Sequence, residues 1–119
     1  MDVLLVDDDE PLLEAVADLL AEAGLDVVAT ASGEAALSLT EHEQEPCLLL
    51  TDWDLGPGMP GDALAYKAQR RWPGVAVILM SGDQQPFRAQ TSCGVFLAKP
   101  FSRKELLTAV NKVLPDRVH

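Results

Sequence analysis

The chain has 119 residues, 48% of them hydrophobic, and we therefore expect one globular domain over residues 1–119 with its own core. Nineteen acidic against nine basic residues give a formal charge of −10, which disfavours direct binding to nucleic acid or to an anionic membrane. The sequence shows no signal-peptide pattern and no apolar run near the ~20 residues that cross a bilayer, so a soluble cytoplasmic protein is expected.

Apolar runs and helical patterns alternate along the chain. Five short apolar runs bounded by turn residues predict strands buried on both faces, at residues 3–6, 27–29, 47–50, 75–80 and 95–98. Apolar residues at three-to-four spacing predict helices between these runs and after the last one, most clearly over residues 12–23 and 106–114. The predicted order is therefore a strand followed by a helix, five times over.

Residues at the predicted helix ends support these limits. Pro11 suits a first helical turn, and Asp9 is expected to cap the same helix. Gly24 suits the end of that helix. Ser102 and Glu105 have the spacing of a capping box, which predicts the start of the last helix.

Alternating strands and helices predict an α/β fold, a parallel sheet with helices on both faces. Five such units suggest the flavodoxin-like doubly wound (βα)5 architecture with a five-stranded sheet in the order 2-1-3-4-5. The fourth helix has the weakest pattern, because residues 84–94 contain Pro86 and little apolar periodicity. We expect that helix to be short or irregular.

Polar residues follow the predicted strands at the edge where such sheets bind ligands. Asp7 and Asp8 follow the first strand, Asp52 the third, Ser81 the fourth and Lys99 the fifth. Crowded carboxylates either hold a proton or bind a cation, and ligands that are all oxygen suit a hard ion such as Mg²⁺. Since Mg²⁺ keeps coordination positions for a phosphate oxygen, the pattern predicts a phosphoryl-transfer site.

Each of these residues then has a predicted task in that chemistry. Asp52 is the expected nucleophile, because an aspartyl phosphate is a known covalent intermediate. The three oxygens of the incoming phosphoryl group need neutralising charge or hydrogen bonds. Mg²⁺ is expected to contact one oxygen, the Lys99 ammonium another, and the Ser81 hydroxyl with a backbone N–H the third.

The sequence resembles the receiver domains of two-component response regulators along nearly its whole length. The shared motifs are VDDD at residues 6–9, TDWDL at 51–55, MSG at 80–82 and KPF at 99–101. The resemblance implies an acidic pair, a phosphoacceptor, a switch hydroxyl and a phosphate-sensing lysine, which are respectively Asp7 with Asp8, Asp52, Ser81 and Lys99.

The same resemblance implies a cation site and residues that tune the switch. Mg²⁺, with Mn²⁺ able to substitute, would be held by Asp8, Asp52 and the backbone carbonyl of Asp54, with Asp7 acting mostly through water. Phe96 corresponds to the aromatic residue that changes rotamer on activation. Asp54 and Asp83 occupy positions beside the phosphoryl group that set its lifetime.

Two segments depart from the family pattern. The loop over residues 53–61 is one residue longer than is usual, which resembles receivers attached to hybrid kinases. The stretch from Ser81 to Lys99 is short for the family. Receivers signal through the face formed by the fourth helix, the fifth strand and the last helix, so the second departure falls on the expected output surface.

The expected function is a phosphorelay switch rather than an enzyme acting on an external substrate. Its expected partners are a histidine kinase or histidine phosphotransfer protein and a downstream protein target, with the chain a monomer or weak dimer. One rival is a phosphatase resembling the haloacid dehalogenases, whose DxD motif matches Asp52-Trp53-Asp54. The other is a receiver-like module that binds partners without being phosphorylated.

Overall fold

A computed structural model describes residues 1–39, 45–55, 58–82 and 94–115 of the chain. The strands and helices in these ranges follow the predicted order, except that the helix expected between β4 and β5 lies outside the described residues. Their limits are β1 (Val3–Val6), α1 (Glu10–Glu22), β2 (Val27–Thr30), α2 (Gly33–Leu39), β3 (Leu48–Asp52), α3 (Gly61–Arg71), β4 (Ala76–Ser81), β5 (Gly94–Ala98) and α4 (Arg103–Val113). Within these ranges, no helix is both long and apolar enough to cross a membrane.

The five strands form one parallel sheet in the order β2-β1-β3-β4-β5, which confirms the predicted topology. The order reverses between β1 and β3, where Val6 is paired with Thr51. On the other side of β3, Asp52 is paired with Met80. The carboxyl ends of β1, β3 and β4 therefore lie side by side at one edge of the sheet.

Two hydrophobic clusters fill the spaces between the sheet and its helices. Successive residues of a strand point to opposite faces, so Leu5 and Leu50 belong to one cluster and Leu4 and Leu49 to the other. Residues of α1 and α4 complete the first cluster, and residues of α2 and α3 complete the second. Helices thus cover both faces, as a parallel sheet requires.

The expectation that every strand is buried on both faces was wrong for the edge strands. All residues of β1 and β3 are buried, whereas Val27 and Val28 of β2 are only partly buried and Ala29 is exposed. In β5, at the other edge, Ala98 is also exposed. An edge strand has a neighbour on one side alone, which leaves part of its surface to solvent.

The predicted helix ends are confirmed. The Asp9 side chain accepts a hydrogen bond from the Leu12 amide at 3.3 Å and caps α1. Gly24, just beyond α1, has a φ of 93°, a conformation that favours glycine. Ser102 and Glu105 form the capping box of α4, with hydrogen bonds of 3.0 and 2.9 Å.

The predicted fourth helix lies outside the described residues except at its last position. Gly94, the last residue of the stretch in which a short or irregular helix was expected, belongs to β5. Hydrogen bonding to β4 decides this assignment, because Gly94 is paired with Val77 in parallel register. Pairing with one neighbouring strand, β4, is thus enough to place this glycine in the sheet.

Candidate functional site

The polar residues predicted from the strand ends lie together at the carboxyl edge of the sheet. Asp52 is the last residue of β3 and Ser81 the last of β4, while Asp7 follows β1 and Lys99 follows β5. Of these four residues, Asp52, Ser81 and Lys99 line an open cavity of about 480 Å³. Its lining residues are Asp8, Asp9, Asp52, Trp53, Asp54, Ser81, Gly82 and Lys99.

Three carboxylates form a cluster in this cavity. One side-chain oxygen from each of Asp7, Asp8 and Asp52 lies within 4.8 Å of the other two. Asp7 and Asp52 are buried, whereas Asp8 is exposed to solvent. Oxygen ligands at this spacing, one of them open to water, match what Mg²⁺ takes from proteins, and the donor set therefore fits that ion.

Lys99 reaches both buried carboxylates of the cluster. Its Nζ atom is 3.1 Å from Oδ2 of Asp7 and 3.4 Å from Oδ1 of Asp52. Burial on its own would lower the pKa of Lys99, but the hydrogen bond to Asp7 and the charge of Asp52 outweigh it and raise the pKa. The lysine is therefore a positive charge fixed beside the predicted phosphoacceptor.

Asp52 is less acidic than an exposed aspartate. Its pKa is raised, first because burial disfavours the charged carboxylate and further because Asp7 repels it. The Lys99 charge and the Asp54 amide, 3.4 Å from Oδ1 of Asp52, oppose the rise without cancelling it. The net result is a carboxylate at Asp52 that holds a proton more readily than an exposed aspartate does.

The backbone after Asp52 is held by a glycine that the motif comparison did not single out. Gly61 begins α3, and a Cβ atom at that position would overlap the carbonyl oxygen of Asp52. The Gly61 amide also donates a hydrogen bond of 2.9 Å to the Trp53 carbonyl. The loop thereby closes on the residues at its start. Gly61 in the sequence was the only signal that could have found this contact.

Two aromatic rings connect the cavity to β5. Trp53 lines the cavity and is partly buried. Its ring centroid is 6.2 Å from that of Phe96, the predicted switch aromatic, with the ring planes inclined at 45°. This contact, which the sequence analysis did not predict, joins the residue after Asp52 to the edge strand.

The remaining predicted site residues divide between the rim and undescribed parts of the chain. Asp54 is exposed and lines the cavity. Asp9 caps α1 and also lines the cavity, and the sequence analysis predicted only the cap. Asp83 lies outside the described residues.

Residues 3–111 match the family model described as "Response regulator receiver domain". The chain therefore belongs to the receiver-domain family of two-component response regulators, whose members signal through phosphorylation. This agrees with the resemblance that the four motifs indicated. The match spans every described strand and most of the last helix.

Individual relatives support the same family. The chain is 36% identical over 112 residues to "Response regulator protein FleR" of Pseudomonas aeruginosa, covering 91% of this chain and 23% of that protein. It is 25% identical to "Putative response regulator NtrX-like" of Rickettsia bellii, covering 94% of this chain and 24% of that protein. The chain thus spans about a quarter of the length of these relatives.

A solved structure confirms the fold across the whole domain. The response regulator receiver protein from Sinorhizobium medicae is 28% identical to this chain and superposes with a TM-score of 0.87. The similarity covers 98% of this chain and 96% of that one. The described strands and helices of this chain therefore have the same arrangement as those of that receiver protein.

Proposed function

We propose that this domain is a phosphorelay switch in which Asp52 accepts a phosphoryl group from a histidine kinase or a histidine phosphotransfer protein. The observation that carries the proposal is the position of the Asp52 carboxylate, which is buried at the end of β3, belongs to a carboxylate cluster and lies 3.4 Å from Nζ of Lys99. Asp7 and Asp8 complete that cluster. Phosphoryl transfer requires positive charge around the nucleophile, which a bound cation and Lys99 would supply.

The transfer itself is a displacement at phosphorus. An oxygen of Asp52 forms the new P–O bond as the P–N bond of the donor phosphohistidine breaks, and the electron pair returns to the imidazole nitrogen, which takes up a proton from solvent. The Lys99 ammonium neutralises one phosphoryl oxygen, and the Ser81 hydroxyl donates a hydrogen bond to another. Both groups contact charge that spreads over these oxygens in the transition state.

The cation proposed for this reaction is Mg²⁺, with Mn²⁺ able to substitute. Asp8, Asp52 and the backbone carbonyl of Asp54 would hold it, with Asp7 contributing through water. When bound, such an ion neutralises the carboxylates and one phosphoryl oxygen. The carboxylate cluster of Asp7, Asp8 and Asp52 supports this assignment. Burial raises the pKa of Asp52, and a cation beside it would favour the ionised nucleophile.

Phosphorylation would then act by shifting a pre-existing equilibrium. Contacts of the phosphoryl group with Ser81 and Lys99 favour one of two arrangements of the strand ends, and Phe96 on β5 reports the change at the surface. The downstream protein would bind the face formed by β5, α4 and the predicted helix before β5. Asp54 and Asp83 are proposed to set the phosphoryl lifetime. The cytoplasm is the proposed location, and a monomer or weak dimer the proposed state.

Intact-mass spectrometry tests the proposal directly. Wild-type protein incubated with Mg²⁺ and acetyl phosphate should gain the mass of one phosphoryl group, and a chelator should prevent the gain. Asp52→Asn should never gain it. The matched control is Asp54→Asn, which removes an exposed carboxylate of the same cavity and should still be phosphorylated, with a changed lifetime.

Two results would favour the rival functions. A wild-type protein that binds Mg²⁺ yet never gains the mass from acetyl phosphate or a phosphorylated kinase domain would indicate a binding module that works without phosphorylation. Multiple turnovers of p-nitrophenyl phosphate, lost in Asp54→Asn, would indicate a phosphatase in which Asp54 is the general acid–base. Either result would refute the switch as proposed.

A further inference from the structure

The loop between β3 and α3 contacts a helix that supplies none of the predicted site residues. The backbone amide of Met59, on the returning part of the loop, donates a hydrogen bond of 3.0 Å to Oε2 of Glu34. Glu34 lies in the first turn of α2, 25 residues earlier in the chain, and is exposed. The described part of this loop consists of residues 53–55 and 58–61.

Two glycines allow this close approach of loop and helix. Gly58 has a φ of 105°, and a Cβ atom there would lie 3.1 Å from Oε2 of Glu34. A Cβ atom on Gly33 would lie 3.2 Å from Sδ of Met59. The loop and the helix are therefore packed together on both sides of the hydrogen bond, and a longer side chain at either glycine would separate them.

The contact continues along the chain to the phosphoacceptor. Two residues after Met59, Gly61 packs against the carbonyl of Asp52 and donates its amide to the carbonyl of Trp53. The backbone at Trp53 leads directly to Asp54, whose amide approaches the Asp52 carboxylate. The position of residues 58–61 thus constrains the peptide groups that follow Asp52, beside the carboxylate cluster.

We propose that Glu34 is a positioning residue for the cation site: by holding Met59, it fixes the loop that presents the Asp54 carbonyl. The inference rests on the proposed function, because that carbonyl is a proposed Mg²⁺ ligand. Groups that orient metal ligands through hydrogen bonds commonly change metal affinity when they are removed.

The test compares four variants in Mg²⁺ binding measured by isothermal titration calorimetry. Glu34→Ala and Glu34→Met lack the acceptor and should raise the Mg²⁺ dissociation constant about fivefold or more. Glu34→Gln keeps a carbonyl acceptor for the Met59 amide and should stay within about twofold of wild type. Glu14→Ala, at an exposed glutamate of α1, makes the same charge change elsewhere and should also stay within about twofold.

Hydrogen exchange of the metal-free protein gives a second readout that needs no cation. The Met59 amide should exchange slowly in wild type and Glu34→Gln, and at least about tenfold faster in Glu34→Ala and Glu34→Met. Unchanged Mg²⁺ affinity in Glu34→Ala and Glu34→Met would overturn the inference. An equal loss in Glu34→Gln would also overturn it, because the charge rather than the hydrogen bond would then matter.

The outcome is separable from that of the proposed function. If wild type binds Mg²⁺ without gaining a phosphoryl group, the proposed function fails while the binding constants still decide the part played by Glu34. If wild type is phosphorylated and the Glu34 variants bind Mg²⁺ as tightly, the proposed function stands and the inference about Glu34 fails.

Discussion

Lys99 joins two buried carboxylates through a single ammonium group. Its Nζ atom is 3.1 Å from Asp7 and 3.4 Å from Asp52, and the Asp7 side chain is only 1% exposed. An ionised group so far from water depends on its partner, because solvent cannot replace the lost charge. Lys99 therefore stabilises the metal-free site in addition to its proposed contact with a phosphoryl oxygen.

Replacing this lysine should destabilise the metal-free domain more than the metal-bound one. Lys99→Met keeps an apolar stem of similar length and leaves Asp7 without its cation. We expect a loss of about 1.5–3 kcal/mol in the free energy of unfolding with a chelator present, measured by urea denaturation. Lys104→Met, at an exposed lysine of α4, is the control. Equal losses in the two variants, or a loss that Mg²⁺ leaves unchanged, would contradict the prediction.

The raised pKa of Asp52 predicts how the metal-free domain responds to pH. The folded state favours the protonated carboxyl relative to the unfolded state, whose pKa is near 3.8, so the ionisation of Asp52 costs stability as pH rises above that value. Asp52→Asn does not have this cost. Its advantage over wild type in free energy of unfolding should therefore grow as pH rises from about 4 and then level off.

Urea denaturation across this pH range, with a chelator present, measures that advantage. Subtracting wild type from Asp52→Asn at each pH removes the contributions of acidic residues that do not interact with Asp52. Mg²⁺ should shrink the difference at neutral pH, because a cation stabilises the ionised carboxylate. A difference that falls with rising pH would mean that Lys99 more than offsets burial.

Sequence reasoning located the site residues because parallel strands bring their carboxyl ends to one edge. Asp7, Asp52 and Lys99 could be placed there from strand order alone, and the structure brings them into contact. Glu34 could not be placed there, because it contacts a backbone amide rather than a side chain. Almost every residue has a backbone N–H, so the residue type of a distant donor does not mark such a contact in the sequence.

At the scale of elements, the loop from β3 to α3 depends on close backbone contacts more than on side chains. It closes where the Gly61 amide meets the Trp53 carbonyl, and it is held to α2 through Met59. The helix caps, in contrast, are local hydrogen bonds with recognisable spacing. Asp9, Ser102 and their partners could therefore be predicted, whereas the loop contacts could not.

The contact at Gly61 gives the element-scale prediction. Gly61→Ala places a methyl group where the Asp52 carbonyl oxygen lies, so the loop and the start of α3 must shift. We expect a loss of at least about 2 kcal/mol in free energy of unfolding, together with slower phosphorylation at saturating Mg²⁺. Gly74→Ala is the matched control, because nothing lies within 4 Å of its added Cβ atom, and it should change stability by less than about 0.5 kcal/mol. Identical unfolding curves for the two variants would refute the contact.

Over the whole molecule, the central strand β3 contributes to both hydrophobic clusters. Leu49 and Leu50 are fully buried on opposite faces of the sheet. The strand order was predictable because the apolar runs alternate with helical patterns and right-handed crossovers leave few topologies. The partial exposure of β2 could not be predicted, since a short apolar run looks the same in an edge strand as in a central one.

The cluster arrangement predicts the cost of a truncation in the central strand. Leu50→Ala should lower the free energy of unfolding by about 2–5 kcal/mol, because it removes buried surface and leaves a cavity. Tyr66→Ala removes a larger side chain that is 61% exposed and should cost less than about 1 kcal/mol. Chemical denaturation measures both, and a larger loss in Tyr66→Ala would contradict the assigned core.

The ring contact between Trp53 and Phe96 gives the domain an optical signal of its own. The chain has two tryptophans; Trp53 borders the cavity, whereas Trp72 is 6% exposed within a hydrophobic cluster. Indole emission at the cavity should respond to Mg²⁺, while that of Trp72 stays constant. Trp53→Phe should abolish the change in emission during a titration, and Trp72→Phe should retain it. If the response disappeared only in Trp72→Phe, the change caused by Mg²⁺ would lie near Trp72 and not at the cavity.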